Sequence, residues 1–219
     1  MQLSWFKRRA AIAAALFCGC NLVATTVQAH PHVWVTVETE VVFDEHKAIT
    51  GFRHKWTFDE AYSAFAVEGR DSNNDGKYDR EELRELTEVN ISSLKEFDYF
   101  TYPRQSGRVL DRLPPKDSWL EFQDGKLKLF FTLPLAKPVM PAEIQAFTFA
   151  VYDSTSYVDF ALAKDKPVTL SGAPAGCVAQ VKDPVGQSSG GQSLLNSAPP
   201  AEDGAAQYAN SVHISCPAS

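Results

Sequence analysis

The chain has 219 residues, 44% of them hydrophobic and 22% charged, with a formal net charge of −6. That length suffices for one domain with a real core. The acidic balance argues against nucleic acid as a partner, because a phosphate backbone selects basic surfaces.

The N-terminus reads as a secretory signal over residues 1–29. Lys7, Arg8 and Arg9 form a charged head, Ala10 to about Val23 is apolar, and Val27-Gln-Ala29 places small residues before a cleavage point. The apolar run is short for a retained membrane helix. Alanines follow the Arg8-Arg9 pair, unlike a twin-arginine signal, and Phe17-Cys-Gly-Cys20 lacks the aliphatic residue of a lipidation site. These residues carry three positive and no negative charges, so cleavage takes the net charge from −6 to −9. The expected location is the periplasm.

From Val33 to Phe43 apolar residues alternate with polar ones, the pattern of a half-buried strand. Asp44-Glu-His-Lys47 is a turn, and Ala48 to Thr57 reads as the return strand.

Next comes Asp71-Ser-Asn-Asn-Asp-Gly-Lys-Tyr-Asp-Arg-Glu-Glu82, which matches a calcium-binding EF-hand loop. Asp71, Asn73 and Asp75 occupy the first, third and fifth positions, and Gly76 the sharp turn. Lys77 offers its carbonyl, Asp79 binds directly or through water, and Glu82 closes the shell with two oxygens. Calcium is a hard cation that takes oxygen ligands, which these residue types supply. Four carboxylates in one loop repel one another unless a cation joins them. The bland alternative is a solvated Asp/Asn/Gly turn. Phe58, Tyr62, Phe65 and Ala66 before the loop, and Leu83, Leu86, Val89, Leu94 and Phe97 after it, recur at helical spacing, with Thr57 or Asp59 as a cap. No second loop follows, and Tyr78 stands where an aliphatic residue would meet a sister loop. A lone loop points to a structural or moderate-affinity site.

Tyr99–Tyr102 and Arg108–Leu110 suggest a hairpin around Gly107. Trp119 to Phe131 is a stronger one, with Asp124-Gly125 as a type I′ turn. Ile144–Tyr152, Tyr157–Ala163, Val168–Leu170, Val178–Val181 and Val212–Cys216 read as further strands. Residues 186–206 are rich in Gly, Ser, Gln, Ala and Pro and read as a disordered loop. The expected fold is α+β: mainly a β-sandwich over 30–57 and 98–219, immunoglobulin-like being one form open to it, with an EF-hand-like unit inserted at 58–97.

Cys18 and Cys20 depart with the signal. Cys177 and Cys216 remain, an even pair in an oxidising compartment, and are expected to form a disulfide that pins the last strand. Free thiols or a thiolate metal site fit less well, since no CxxC is present.

Cleavage after Ala29 leaves His30-Pro-His32 at the new N-terminus. His30 offers its amine and ring to one metal, and His32 follows on the same side of an extended chain. Imidazoles suit zinc, copper and nickel. His54, in Arg53-His-Lys-Trp56, is a candidate third ligand from the return strand, and Asp153 a candidate oxygen ligand. The alternative is that His30 and His32 are solvated polar residues and His54 a satisfied sheet histidine.

His30-Pro-His-Val-Trp34, Trp56-Thr-Phe-Asp-Glu60, the acidic loop, Tyr99-Phe-Thr101, the Trp119 hairpin, Val151-Tyr-Asp153 and Gly172-Ala-Pro-Ala-Gly-Cys177 together resemble the DUF1007 family. The resemblance runs from His30 to about Val181. It implies a bacterial periplasmic protein working with an inner-membrane permease of the nickel/cobalt type or in zinc acquisition. A binding protein that captures or delivers zinc, nickel or cobalt is therefore the leading expectation. A purely structural calcium-stiffened module is a second. A copper histidine-brace enzyme, built from His30 and His54, is a third. No GxSxG elbow, HExxH motif or reactive cysteine marks a hydrolase, and no enzymatic activity is expected.

Overall fold

A computed structural model describes residues 32–184 and 206–217. The expected signal segment 1–29, His30 and residues 186–205 of the expected disordered loop lie outside those residues. Among the described residues no helix is long and apolar enough to cross a membrane.

The chain begins with an antiparallel pair, β1 (Val33–Phe43) and β2 (Ile49–Phe58). β1 alternates strictly and β2 does so from Phe52 onward, past an irregularity at Gly51, so Val35, Val37, Val41, Phe52 and Trp56 turn inward while Glu38, Glu40, Arg53 and Lys55 face out. Two short helices follow, α1 (Glu60–Ala66) and α2 (Arg84–Leu94), flanking the acidic loop. A 3₁₀ segment, Lys95–Phe100, leads into β3 (Thr101–Gln105) and β4 (Arg108–Val109). Then come β5 (Lys116–Gln123) and the long β6 (Lys126–Val139). A 3₁₀ turn at Pro141–Ala146 precedes β7 (Phe147–Val151). The last strands are β8 (Val158–Leu162), β9 (Val168–Ser171), β10 (Val178–Lys182) and β11 (Ser211–Ser215).

These strands make two sheets. One runs β5-β6-β2-β1-β8, with β9 also pairing β1, and the other β10-β11-β7-β3-β4. Both contribute to one apolar cluster. Phe52 of β2 meets Phe149 and Phe147 of the second sheet, with ring centroids 4.9 and 6.3 Å apart. The architecture is β-rich α+β with few helices. β1 pairs in parallel with both β8 and β9, which departs from the purely antiparallel sheets of an immunoglobulin-like domain.

Local chemistry explains the elements. Asp124 and Gly125 both have positive φ, 55° and 74°, as a type I′ turn requires, so β5 and β6 close as anticipated. Asp59 caps α1 by accepting the Tyr62 N–H at 2.9 Å. The strand expected over Ile144–Tyr152 starts only at Phe147. Pro141 opens a 3₁₀ turn there, and Glu143 reaches back to the Met140 N–H. Asp98, Tyr99 and Phe100 all have positive φ (52°, 55°, 47°), which reverses the chain into β3. Arg112 donates to Asp98 at 2.6 Å, and the Phe100 carbonyl accepts from Tyr152 N–H at 3.0 Å; both hold this costly turn.

Trp56 belongs to the core, 1% exposed, whereas Trp34 is 50% exposed on the outer face of β1. Phe65 (74%) and Val89 (55%) are also exposed, although Phe65 keeps helical spacing with half-buried Tyr62 and Val89 with buried Leu86. The short helices bury one narrow stripe each and leave these side chains without cover.

Buried Ser63 ties α1 to the sheet. Its hydroxyl donates to the Asp59 carbonyl at 2.6 Å and accepts the Leu127 N–H at 2.9 Å. Ser63→Ala strands that amide inside the protein, so a loss of about 1–3 kcal/mol is expected in urea denaturation. A midpoint equal to wild type would remove this tether from the account.

Cys177 and Cys216 form the anticipated disulfide, with Cα atoms 4.0 Å apart. It closes the open end of the β10–β11 pair next to Val178 and Ser215.

Candidate functional site

The acidic loop is organised by its own amides. Asp71 accepts from the N–H groups of Asp75 and Gly76 at 3.1 and 3.0 Å. Asn73 Oδ1 accepts from Asp75 N–H at 2.8 Å, and Asp75 from Lys77 N–H at 2.8 Å. Asp79 takes the N–H groups of Glu81 and Glu82, both at 2.9 Å. Asn74 and Gly76 supply the positive φ, 58° and 78°, that folds the segment back on itself.

Glu82 reaches across from the exit side. One carboxylate oxygen accepts from the Ser72 N–H (2.8 Å), the Ser72 hydroxyl (2.9 Å) and the Asn73 N–H (3.3 Å); the other accepts from Asp79 N–H at 3.1 Å. These bonds, that from Asp79 foremost and then the Ser72 hydroxyl, hold its carboxyl below the usual pKa.

The donor set therefore consists of hard oxygens turned into one turn of chain, with Glu82 closing it from the opposite side. That chemistry suits a calcium ion held by Asp71, Asn73, Asp75, the Lys77 carbonyl, Asp79 and Glu82. In the present arrangement the oxygens are committed to loop amides. Among the described residues no group of three or more His, Cys, Asp or Glu side chains is already gathered at metal-holding geometry. Calcium would have to compete for the second lone pairs of oxygens that the amides already orient.

The loop is braced against edge strand β5. Tyr78 packs edge-on against Phe122 with ring centroids 4.9 Å apart. The Arg80 guanidinium lies 4.8 Å from the Trp119 ring centroid and donates to Glu121 at 2.9 Å. Trp119 Nε1–H donates to the same Glu121 oxygen at 2.8 Å, and its ring stacks on Phe130 at 4.7 Å. The Trp119 hydrogen bond, followed by that from Arg80, lowers the Glu121 pKa.

Trp119 and Phe130 wall a shallow cleft of about 410 Å³ on the outer face of the first sheet. Register lays its lining in cross-strand rows, Glu38–Lys55–Phe130–Trp119 and Glu40–Arg53–Thr132. The Glu38–Lys55 and Glu40–Arg53 pairs are both 2.7 Å apart. Arg80, Trp119 and Glu121 escaped the sequence reading. Alternation along β5 does put Trp119 and Glu121 on one face, but nothing local brings Arg80 to them.

The histidines separate. His32 is exposed at the start of the described chain; its N–H donates to the Tyr157 carbonyl at 2.9 Å and its ring lies 4.9 Å from that of Tyr157. His54 pairs with Thr39 in the register, seven residues along β1 from His32. At strand rise that is roughly 23 Å, so His54 does not join His32 in one site.

His54 is 2% exposed and sits between two hydroxyls, Thr39 Oγ1 3.0 Å from Nδ1 and Thr101 Oγ1 3.3 Å from Nε2. Phe52, Trp56 and Phe131 surround it. Burial pushes its pKa down from 6.5 to about 3. The reason is parity: His54 alternates with Arg53 and Lys55 and so faces inward with Phe52 and Trp56.

Asp153 is also spoken for. Its buried carboxylate accepts from the N–H groups of Thr155, Tyr157 and Val158 and from the Thr155 hydroxyl, at 2.8–3.0 Å. It shapes the turn that sets Tyr157 beside His32. The same corner holds Tyr62, whose pKa is raised by burial first, then by Tyr157 and Asp59.

The family described as "Protein of unknown function (DUF1007)" matches residues 14–216 of the chain. An "Uncharacterized protein" of Haemophilus influenzae is 29% identical over 158 residues, covering 72% of this chain and 75% of that protein. An "Uncharacterized 15.5 kDa protein in trpE 3'region" of Spirochaeta aurantia is 31% identical over 104 residues, covering 48% of this chain and 73% of that protein.

Proposed function

The chain belongs to the DUF1007 family, and from the oxygen-lined loop it carries we propose that it is an exported, periplasmic calcium-binding protein that captures a transition metal and hands it to an inner-membrane permease. What supports the reading is that Asp71, Asn73, Asp75, Asp79 and Glu82 share one loop whose amides hold their oxygens, with Glu82 reaching back from the exit side. Pre-orientation lowers the ordering cost that a cation must offset on binding. An EF-hand-like unit set into a two-sheet sandwich is the corresponding reading of the fold.

Calcium binding to the folded state alone stabilises it by mass action, about 2.7 kcal/mol at a hundredfold excess over Kd. Adding calcium to chelator-treated protein should therefore raise its melting temperature. Glu82→Gln removes the carboxylate that closes the ring, and its melting temperature should stay flat under the same addition. An equal calcium-dependent rise in both proteins would refute this ligand assignment.

Transition-metal capture is proposed from the N-terminal histidines together with the family resemblance. His32 is exposed and its backbone is anchored to Tyr157, which suits a site that must both take and release its cargo. His54 is dropped from the ligand set. In calorimetry with zinc or nickel, His30→Ala/His32→Ala should lose at least tenfold in affinity. Unchanged affinity would take the N-terminal histidines out of the function.

The contacts of Tyr78 and Arg80 with β5 favour a second reading, in which calcium only stiffens the α1–loop–α2 unit against the sheet. The copper-brace enzyme has less support, because His54 lies in the core, far from His32.

A further inference from the structure

The acidic loop has no sister loop, yet it is not unsupported. Its exit grips edge strand β5 from both sides. Tyr78 meets Phe122, whose neighbour two residues away, Leu120, is buried, so this contact lies toward the core face. Arg80 covers Trp119 and bonds Glu121, both half-buried on the opposite face. The gripping residues alternate with the ligand-type residues Lys77 and Asp79, and Glu82 follows two positions after Arg80. Tyr78 and Arg80 flank Asp79 in the chain, so a backbone shift at Asp79 reaches both contacts with β5.

Trp119 is held on three sides, by Arg80 at 4.8 Å, by Phe130 at 4.7 Å and by its hydrogen bond to Glu121. Phe130 and Trp119 are also the aromatic wall of the outer cleft. A path of direct contacts thus runs from the loop to the cleft through Arg80.

We propose that β5 supplies the support that a second calcium loop would give, with Arg80 as the positioning residue that couples calcium occupancy of the loop to the Trp119–Phe130 wall of the cleft. This rests on the calcium reading above. Coupling is reciprocal, so a contact that carries occupancy to Trp119 must also set calcium affinity. Arg is suited to the task because its planar guanidinium stacks on an indole and bonds a carboxylate at once.

The test is a calcium titration of the exported protein, followed by calorimetry and by tryptophan emission. The wild-type emission should change in step with binding. Trp119→Phe should still bind calcium but lose that emission change. Arg80→Ala removes a side chain that is 65% exposed, so folding should survive, and its calcium affinity should fall about fivefold or more. Arg80→Lys, which keeps the charge but not the planar stack, should fall between the two. Wild-type affinity in Arg80→Ala, or an emission change that persists in Trp119→Phe, would overturn the coupling while leaving calcium binding intact. A wild-type protein that takes up no calcium would overturn the calcium reading and the coupling together.

Discussion

Acidifying the protein from about pH 7 to about pH 4 is expected to cost about 3 kcal/mol of stability through His54 alone. The folded state holds this histidine neutral, its pKa lowered from 6.5 to about 3 by burial. The unfolded chain protonates it near the ordinary value. Because the folded pKa is the depressed one, the contribution is intact above about 6.5. It declines by about 1.4 kcal/mol per pH unit as pH falls and is exhausted near pH 3. Among the described residues, the side chains bonded to it or stacked on it are the uncharged Thr39, Thr101, Phe52, Trp56 and Phe131.

Other groups titrate over the same range, so the informative comparison is with His54→Gln. Glutamine keeps a donor and an acceptor for the two threonines and does not titrate. The variant will be less stable at neutral pH, because it fills the space less well. Its stability should fall less steeply between pH 6 and pH 4, by about 1 kcal/mol per unit or more. Parallel slopes in the two proteins would show that His54 is not the acid-sensitive group.

Removing the disulfide should have the largest effect of any covalent change. Cys177 and Cys216 are 39 residues apart, and closing a loop of that length restricts the unfolded chain by about 4 kcal/mol in the chain-entropy model. The folded state offers little to replace it. β10 is an edge strand whose Val178 and Val181 are exposed, and its partner β11 pairs with β7 over only Ser211–His213. A Cys177→Ala/Cys216→Ala protein should melt roughly 10 °C below wild type. Hydrogen exchange should show β10 and β11 losing protection first, with β1, β2 and β6 retaining theirs. A melting temperature unchanged within a degree or two would mean that strand pairing alone secures the C-terminus.

Legibility in the sequence followed the range of the interactions. β1 and the β5–β6 hairpin were readable because side-chain alternation and the Asp-Gly turn are local properties. The disulfide was readable because only two cysteines remain after the expected cleavage. Ile144 to Ala146 looked like strand by composition, but Pro141 and the Glu143 cap fixed a 3₁₀ turn first.

His54 was considered as a ligand for its chemistry, while the parity of Phe52, His54 and Trp56 already placed it inward. Its distance from His32 depends on the β1–β2 register, which no single residue declares. The residues of the acidic loop form a pattern that is local in the sequence. Their bracing by Trp119, Glu121 and Phe122 is not, because it joins segments some forty residues apart that meet only in the folded sheet.

The central claim is that residues 71–82 hold calcium. Intact-mass measurement under native conditions, on protein expressed from the full sequence and purified without chelator, tests it most directly. One calcium per chain in the wild type and none in Glu82→Gln is the expected result. A wild-type mass that carries no calcium, even after millimolar calcium is supplied, would contradict it.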